Sequence, residues 1–328
     1  MTSKKRFNKL IDDLRIIAAI LVVAIHTAPL FEYNEFISYF ITNIIGRLAV
    51  PYFFVLSGYF LFKKFKHQND EERMETFVKT EKNLLIMYGL TLIIYIPVWL
   101  YLHGLDFGKF VVDLLWNGMH YHLWYFPALI VGVGIVYFLY NRLNTRKTFI
   151  LLALLYLFGS IFNVYGTVLP ESFVTGVMGV IGNPRNGIFF APLFIFIGRI
   201  LAEHQLRFKD GVIYLMVALF IAEPVILYFA KLSDPLNAMF LTLPLAIYLL
   251  MTKVLNTKSS THSSVFYHNV SLYVYVIHPV VILGNRLIIG KVLDMELTNT
   301  LNFVLTLLIS LVVSYGYQFV KDQYEKNK

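Results

Sequence analysis

Residues 10–30 read LIDDLRIIAAILVVAIHTAPL. Everything between Arg15 and His26 is aliphatic, and an apolar run of about 20 residues is the length a helix needs to cross a bilayer's hydrocarbon core. Arg15 and His26 are eleven residues apart, close to three helical turns, so both fall on one face about 16 Å apart along the axis. Ionisable groups at membrane depth are costly and characteristically face a cavity or pathway, so the pair is the first functional candidate.

Working outward, the same pattern recurs along the chain. Of 328 residues, 58% are hydrophobic and 15% charged, against about 25% charged in a soluble domain. Apolar runs predict about ten spans, near 11–30, 38–62, 83–102, 123–140, 148–165, 187–203, 211–230, 236–253, 269–289 and 301–319. With the N-terminus inside, the inner segments hold 21 of the 28 Lys and Arg, and the outer loops hold only Lys109, Arg185, Lys231 and Lys291. That asymmetry follows the positive-inside rule. The expectation is an all-α polytopic membrane protein, about ten transmembrane helices in one bundle, with both termini cytoplasmic. Residues 1–328 read as a single membrane domain, with a cytoplasmic loop at 63–82 and outer loops at 103–122 and 166–186.

The net charge of +8 is thus a topology signal, and no nucleic-acid partner is expected. The basic flank SKKRFNK lacks a small-residue cleavage site after the apolar run, so the first span reads as permanent. With no cysteine, disulfides, thiolate nucleophiles and cysteine-ligated metals are excluded, and no histidine or carboxylate spacing suggests a metal.

Further polar groups fall inside or beside the spans. Arg47 lies in IIGRLAVPYFFVLSGYF, where Pro51 and Ser57-Gly58 allow a bend or close packing. Glu223 and His278 each directly precede a proline, Pro224 and Pro279, which removes a helical N–H one turn after a carbonyl. His120, His122, Trp124 and Tyr125 cluster in GMHYHLWYFPALI, and Arg185 sits in Asn183-Pro184-Arg185-Asn186 at the start of the sixth span. Each has a plainer structural reading. Arg15 can pair with Asp12 or Asp13, and His278 can cap the carbonyl that Pro279 exposes. The HYHLWYF cluster can be an interfacial aromatic belt, and Ser57 a small packing residue.

The stretch from Arg15 to His26, RLAVPYFFVLSGYF and SLYVYVIHP together resemble the acyltransferase-3 family of membrane acyltransferases, in order and over nearly the whole chain. Within it, YHLWYFPALI and RNGIFFAPLFIFIGRI most resemble the membrane half of vancomycin-resistance-type serine/alanine racemases. The resemblance implies a ten-helix core in the bacterial cytoplasmic membrane. It further implies a cytoplasmic acyl-CoA donor (acetyl-CoA in the simplest case) as co-substrate, no tightly bound cofactor, and an acceptor such as a glycan or cell-wall precursor. The chain runs out after the tenth span at DQYEKNK, so no pyridoxal-phosphate racemase domain is expected within it; a soluble catalytic domain is then a missing partner.

Acyl transfer needs a base for the acceptor and donors for the thioester oxyanion. His26, with an ordinary pKa near 6.5, is the expected base, and Glu223 is expected to orient it or to neutralise Arg47. Arg15, Lys79 and Lys82 are expected to hold donor phosphates; Lys79-x-x-Lys82 stands where many relatives carry Arg-x-x-Arg. Arg47, His122, Tyr125, Arg185 and His278 are acceptor or oxyanion candidates. The alternative is a module that binds or transports an amino acid such as L-serine, because mid-membrane charges and interrupted helices serve transporters as well.

Overall fold

The computed structural model describes residues 9–204, 208–257 and 265–326. Most of the basic flank SKKRFNK, and Arg207, Lys258 and Lys328 of the inner basic count, lie outside the described residues. All regular structure described is helical. The chain divides into two compact units, Met1–Val50 with Leu250–Lys328, and Pro51–Leu249.

The first unit joins the two ends of the sequence. Helix α1 (Lys9–Thr27) packs on α12 (Val265–Asn285) and α13 (Asn299–Lys326). Ala19 and Val23 of α1 meet Val270 and Val274 of α12 in a buried apolar cluster. After α1 the chain turns through Ala28 and Leu30, both at positive φ, a region that disfavours residues with a Cβ. Leu30 N donates to Thr300 Oγ1 at 2.8 Å and Thr300 N to Glu32 Oε1 at 2.9 Å, which anchors the turn to α13. A short α2 (Glu35–Tyr39) leads into wide and tight helical turns at 40–48, and Arg47 sits there.

The second unit is built around α9 (Ala191–Glu203), whose Ala191–Arg199 stretch is buried throughout. Helix α3 (Ala49–Phe65) crosses α9 at Gly58 and Gly198, where an added Cβ would overlap the Ile195 carbonyl and the Val55–Tyr59 backbone respectively. The Ser57-Gly58 step therefore serves close packing, with Ser57 Oγ returned to the Phe53 carbonyl. Helices α6 (Tyr125–Arg142) and α7 (Thr145–Asn163) also pack on α9.

Several expected boundaries move. Most of the cytoplasmic loop expected at 63–82 is helical, because α4 runs unbroken over Asp70–His103. Its start is fixed by a capping box: Asn69 Oδ1 accepts from Glu72 N, and Asn69 N donates to Glu72 Oε2, both at 2.9 Å. Its 34 residues reach roughly 50 Å, beyond the hydrocarbon layer. The outer loop 103–122 contains α5 (Phe107–Val112), and 166–186 contains α8 (Glu171–Ile181). The sixth and eighth expected spans shrink to α9 and α11 (Leu243–Asn256), of 13 and 14 residues, roughly 20 Å each and too short to cross alone. Helix α10 (Asp210–Phe229) completes the set. Among the described residues, seven helices are long and apolar enough to cross a membrane. Asp12, Asp13 and Arg15 take α1 out of that count.

Candidate functional site

In the first unit, α1 and α12 bring together two histidines 252 positions apart in sequence. The His26 and His278 rings stack, centroids 5.4 Å apart and planes inclined by 22°. His278 is fully buried, and its Nδ1 lies 3.1 Å from the Val274 carbonyl. A carbonyl only accepts, so in the neutral ring Nδ1 carries the hydrogen and Nε2 the lone pair. The bond goes to Val274, one residue before the Tyr275 carbonyl that cannot receive an N–H from Pro279. His278 therefore does not cap the carbonyl that Pro279 exposes; it bonds the one before it and stacks on His26.

Arg15 and Asp12 form a buried ion pair at 2.5 Å on α1. Arg47 Nη2 donates to Asn43 Oδ1 at 2.6 Å, also buried. Gly46 beside it lets this turn approach α1, since an added Cβ would press on Ile25. On α13, Asn302, Thr306, Ser310, Ser314 and Gln318 form a buried polar file at four-residue spacing. Asn285 Nδ2 donates to Asn302 Oδ1 and Thr306 Oγ1, each at 3.1 Å. The i, i+4 period is legible in the sequence, but small uncharged polar groups inside an apolar helix carry no charge to mark them.

The second unit holds the remaining candidates. Lys79 and Lys82 are exposed on α4. His122 is buried, its Nδ1 3.4 Å from that of His120, and both rings rest on Tyr95. Burial, reinforced by the charge of His103, holds His120 down at about 4. Tyr125 packs on Phe54 at 4.8 Å. The Arg185 guanidinium lies over the Trp124 ring at 4.7 Å, a cation–π contact. Trp99 Nε1 and Asn117 Nδ2 both donate to Asp113, and Lys109 pairs with it at 3.2 Å. Burial opposes ionisation there, but these donors and the Lys109 charge win, so Asp113 titrates below its ordinary value.

Glu223 is a clamp. Its Oε1 accepts from Tyr165 Oη and from Leu241 N, and its Oε2 accepts from Thr242 N at 2.8 Å and Thr242 Oγ1 at 2.5 Å. The carboxylate ties α10 to the end of α7 and to the approach to α11. The sequence reading assigns it to His26 or Arg47; its hydrogen bonds go to Tyr165 and to the chain around residue 241. Arg199, not singled out from the sequence, is buried with Glu203 at 2.8 Å and the Tyr140 ring at 4.5 Å. Among the described residues no cluster of three histidines or carboxylates is arranged to hold a metal ion.

Comparison with known proteins bears on this arrangement. The chain is 33% identical over 324 residues to a serine/alanine racemase of Enterococcus gallinarum, covering 93% of this chain and 45% of that one. It is 35% identical over 218 residues to an amino-acid racemase of Enterococcus faecalis, covering 64% and 30%. A second Enterococcus faecalis amino-acid racemase is 29% identical over 325 residues, covering 93% and 45%. The chain thus spans less than half the length of these relatives. No solved structure matches it. The acyltransferase-3 model, described as an acyltransferase domain, matches residues 8–318, and over that match the chain belongs to the acyltransferase-3 family of polytopic membrane proteins.

Proposed function

We propose that the protein moves an acyl group, acetyl in the simplest case, from cytoplasmic acyl-CoA to a hydroxyl or amine of an extracytoplasmic, cell-wall-related acceptor. The observation that carries this reading is the His26–His278 pair, a half-buried imidazole stacked on a fully buried one inside an apolar helix bundle. An imidazole exchanges protons near neutrality and an apolar surround strengthens its effect on developing charge. One ring takes the proton of the acceptor O–H or N–H as that atom attacks the thioester carbonyl. The C–S bond then breaks, and the imidazolium returns the proton to the leaving thiolate. The Val274 carbonyl fixes the His278 tautomer, so His278 shares the proton-handling role assigned to His26.

We assign Arg15 of the first unit to the donor phosphates; Lys79 and Lys82 of the second unit remain donor candidates. The Asp12 carboxylate already holds Arg15, so a phosphate there competes with Asp12. Arg47 is assigned to the oxyanion; His122, Tyr125 and Arg185 remain acceptor candidates. Glu223 becomes a positioning residue. The orientation assumed places both termini and the donor in the cytoplasm of a bacterium, with the lipid bilayer around the spans. A second reading, L-serine binding in a module whose racemase domain lies elsewhere, is favoured by the names of the Enterococcus relatives.

Calorimetric titration of acetyl-CoA and of L-serine into the detergent-solubilised chain separates the two. Acetyl-CoA binding that weakens in Arg15→Ala supports acyl transfer. L-serine binding with no response to acetyl-CoA overturns it.

A further inference from the structure

Between α10 and α11 the chain runs without helix from Leu232 to Phe240, turning at 241–242 into α11. Irregular backbone flanked by apolar helices is tolerated where it is buried in protein or lines a cavity. Here side chains staple it along its length. Asn163 Oδ1 accepts from Ala238 N and Met239 N at 2.9 and 3.1 Å. Ser160 Oγ donates to the Met239 carbonyl at 2.6 Å and Tyr156 Oη to that of Phe240 at 2.7 Å. Glu223 takes Leu241 and Thr242. The Asn237 amide, oriented to satisfy both ends, donates to the Asn163 carbonyl at 2.7 Å and accepts from Asp234 N at 3.1 Å.

This stapled segment forms one wall of a cavity of about 490 Å³, closed by the end of α7, by α8 and by Asn183. That size suits a small-molecule site, roughly 300–1,000 Å³. Its lining joins two carboxylates, Glu171 and Asp234, to the Asn183 amide and the Thr167 hydroxyl, against an apolar side of Phe162, Val174 and Met178. No lysine, arginine or histidine is among the lining residues. Asp234 spends Oδ1 on Leu236 N at 2.6 Å, and both carboxylates are solvent-exposed.

We propose that this cavity binds a small polyhydroxylated ligand carrying an ammonium group, an amino sugar being the simplest such compound. Amide and hydroxyl groups match ring hydroxyls, the apolar side takes a sugar face, and the two carboxylates select a cation and repel an anion. The site thereby disfavours the carboxylate of a free amino acid. Naming this ligand the acyl acceptor rests on the acyl-transfer reading; its binding does not.

The test is titration of D-glucosamine, D-glucose and D-glucuronate into the full chain, beside Glu171→Gln/Asp234→Asn. Asn at 234 keeps the acceptor for Leu236 N, and thermal unfolding verifies that the variant folds. D-glucosamine is expected to bind at least tenfold more tightly than D-glucose, with D-glucuronate weakest. The double variant is expected to erase the amine preference while acetyl-CoA binding stays as in the parent chain. No sugar binding, equal binding of all three, or an amine preference that survives the double variant overturns the proposal. If the double variant unfolds, Glu171→Gln alone decides, and an unchanged amine preference there likewise overturns it. Acetyl-CoA titrated into the same samples keeps the two readings apart: sugar binding without acetyl-CoA binding removes only acyl transfer, and the reverse removes only the cavity.

Discussion

The stacked rings of His26 and His278 place two proton-handling groups from opposite ends of the sequence in contact, 5.4 Å between centroids. If either ring is the base, its loss costs what general base catalysis contributes, about 10²–10⁴-fold. His26→Ala is expected to reduce acyl transfer by that factor with the fold retained. His278→Phe keeps an aromatic disc against His26 but removes Nε2, and is expected to match it. If the rings act as one unit, the double variant is no slower than either single one. Initial rates of the three variants decide this, and a fully active His26→Ala removes the pair from the mechanism.

The Arg15 bond to Asp12 and its proposed role toward the donor separate by measurement. Its ion pair with Asp12 is buried, and removing one partner of such a pair costs about 3–5 kcal/mol. Asp12→Ala is therefore expected to lower the unfolding temperature sharply, and adding Arg15→Ala to recover much of it. In the acyl-transfer assay, Arg15→Ala is expected to raise the KM for the donor more than for the acceptor. Equal rises would confine Arg15 to its bond with Asp12.

Glu223→Gln tests the clamp. Glutamine keeps one acceptor oxygen but sets an amide NH2 against N–H or O–H donors that the carboxylate now accepts. Hydrogen bonds lost at such a half-buried site cost about 0.5–1.5 kcal/mol each. A lowered unfolding temperature is expected, together with weaker sugar binding in the cavity whose wall Glu223 holds. A variant of parental stability and affinity would make the carboxylate a bystander.

His120 predicts an acid-sensitive fold. Burial first, and then the His103 charge, hold its pKa at about 4, below the ordinary 6.5. The unfolded chain therefore binds this proton more readily between those values, so the stability present above pH 6.5 is lost as pH falls toward 4. The unfolding temperature is expected to decline between pH 7 and 5, and His120→Gln to flatten that decline. Parallel curves for parent and variant would place the sensitivity in other groups.

How much was legible follows from the range of each signal. Of the two partners the sequence offers Arg15, Asp12 and Asp13, the structure uses Asp12. Apolar length is local, so the long helices were legible in outline. Helix ends were not, because apolar runs continue past α9 and α11 into buried but irregular chain. The start of α4 was written in Asn69 and Glu72, a capping pattern that the mixed charges around it obscured. The site was legible as residue types and not as partners. Nothing near His26 announces His278, and two of the groups that hold Glu223 are backbone amides of Leu241 and Thr242, which carry no sequence signature.

The crossing of α3 and α9 makes the most demanding claim on the fold. Gly58 and Gly198 face each other's helices so closely that a Cβ on either would overlap backbone atoms, and backbone cannot rotate aside as a side chain does. Helix association in a membrane relies on such close approach, because lipid gives no hydrophobic drive between apolar surfaces. Gly198→Ala must push α3 away along its whole contact with α9, and α9 is the buried centre of its unit. Overpacking of this kind costs about 1–3 kcal/mol, and more where the obstacle is backbone. At Gly89, where an added Cβ meets nothing within contact range, alanine relieves the helix of glycine's cost and is expected to stabilise by about 0.5–1 kcal/mol. Unfolding temperatures of Gly58→Ala, Gly198→Ala and Gly89→Ala therefore form an internal control. A drop in the first two with a rise in the third confirms the crossing, and three equal values would mean that α3 and α9 do not meet at these glycines.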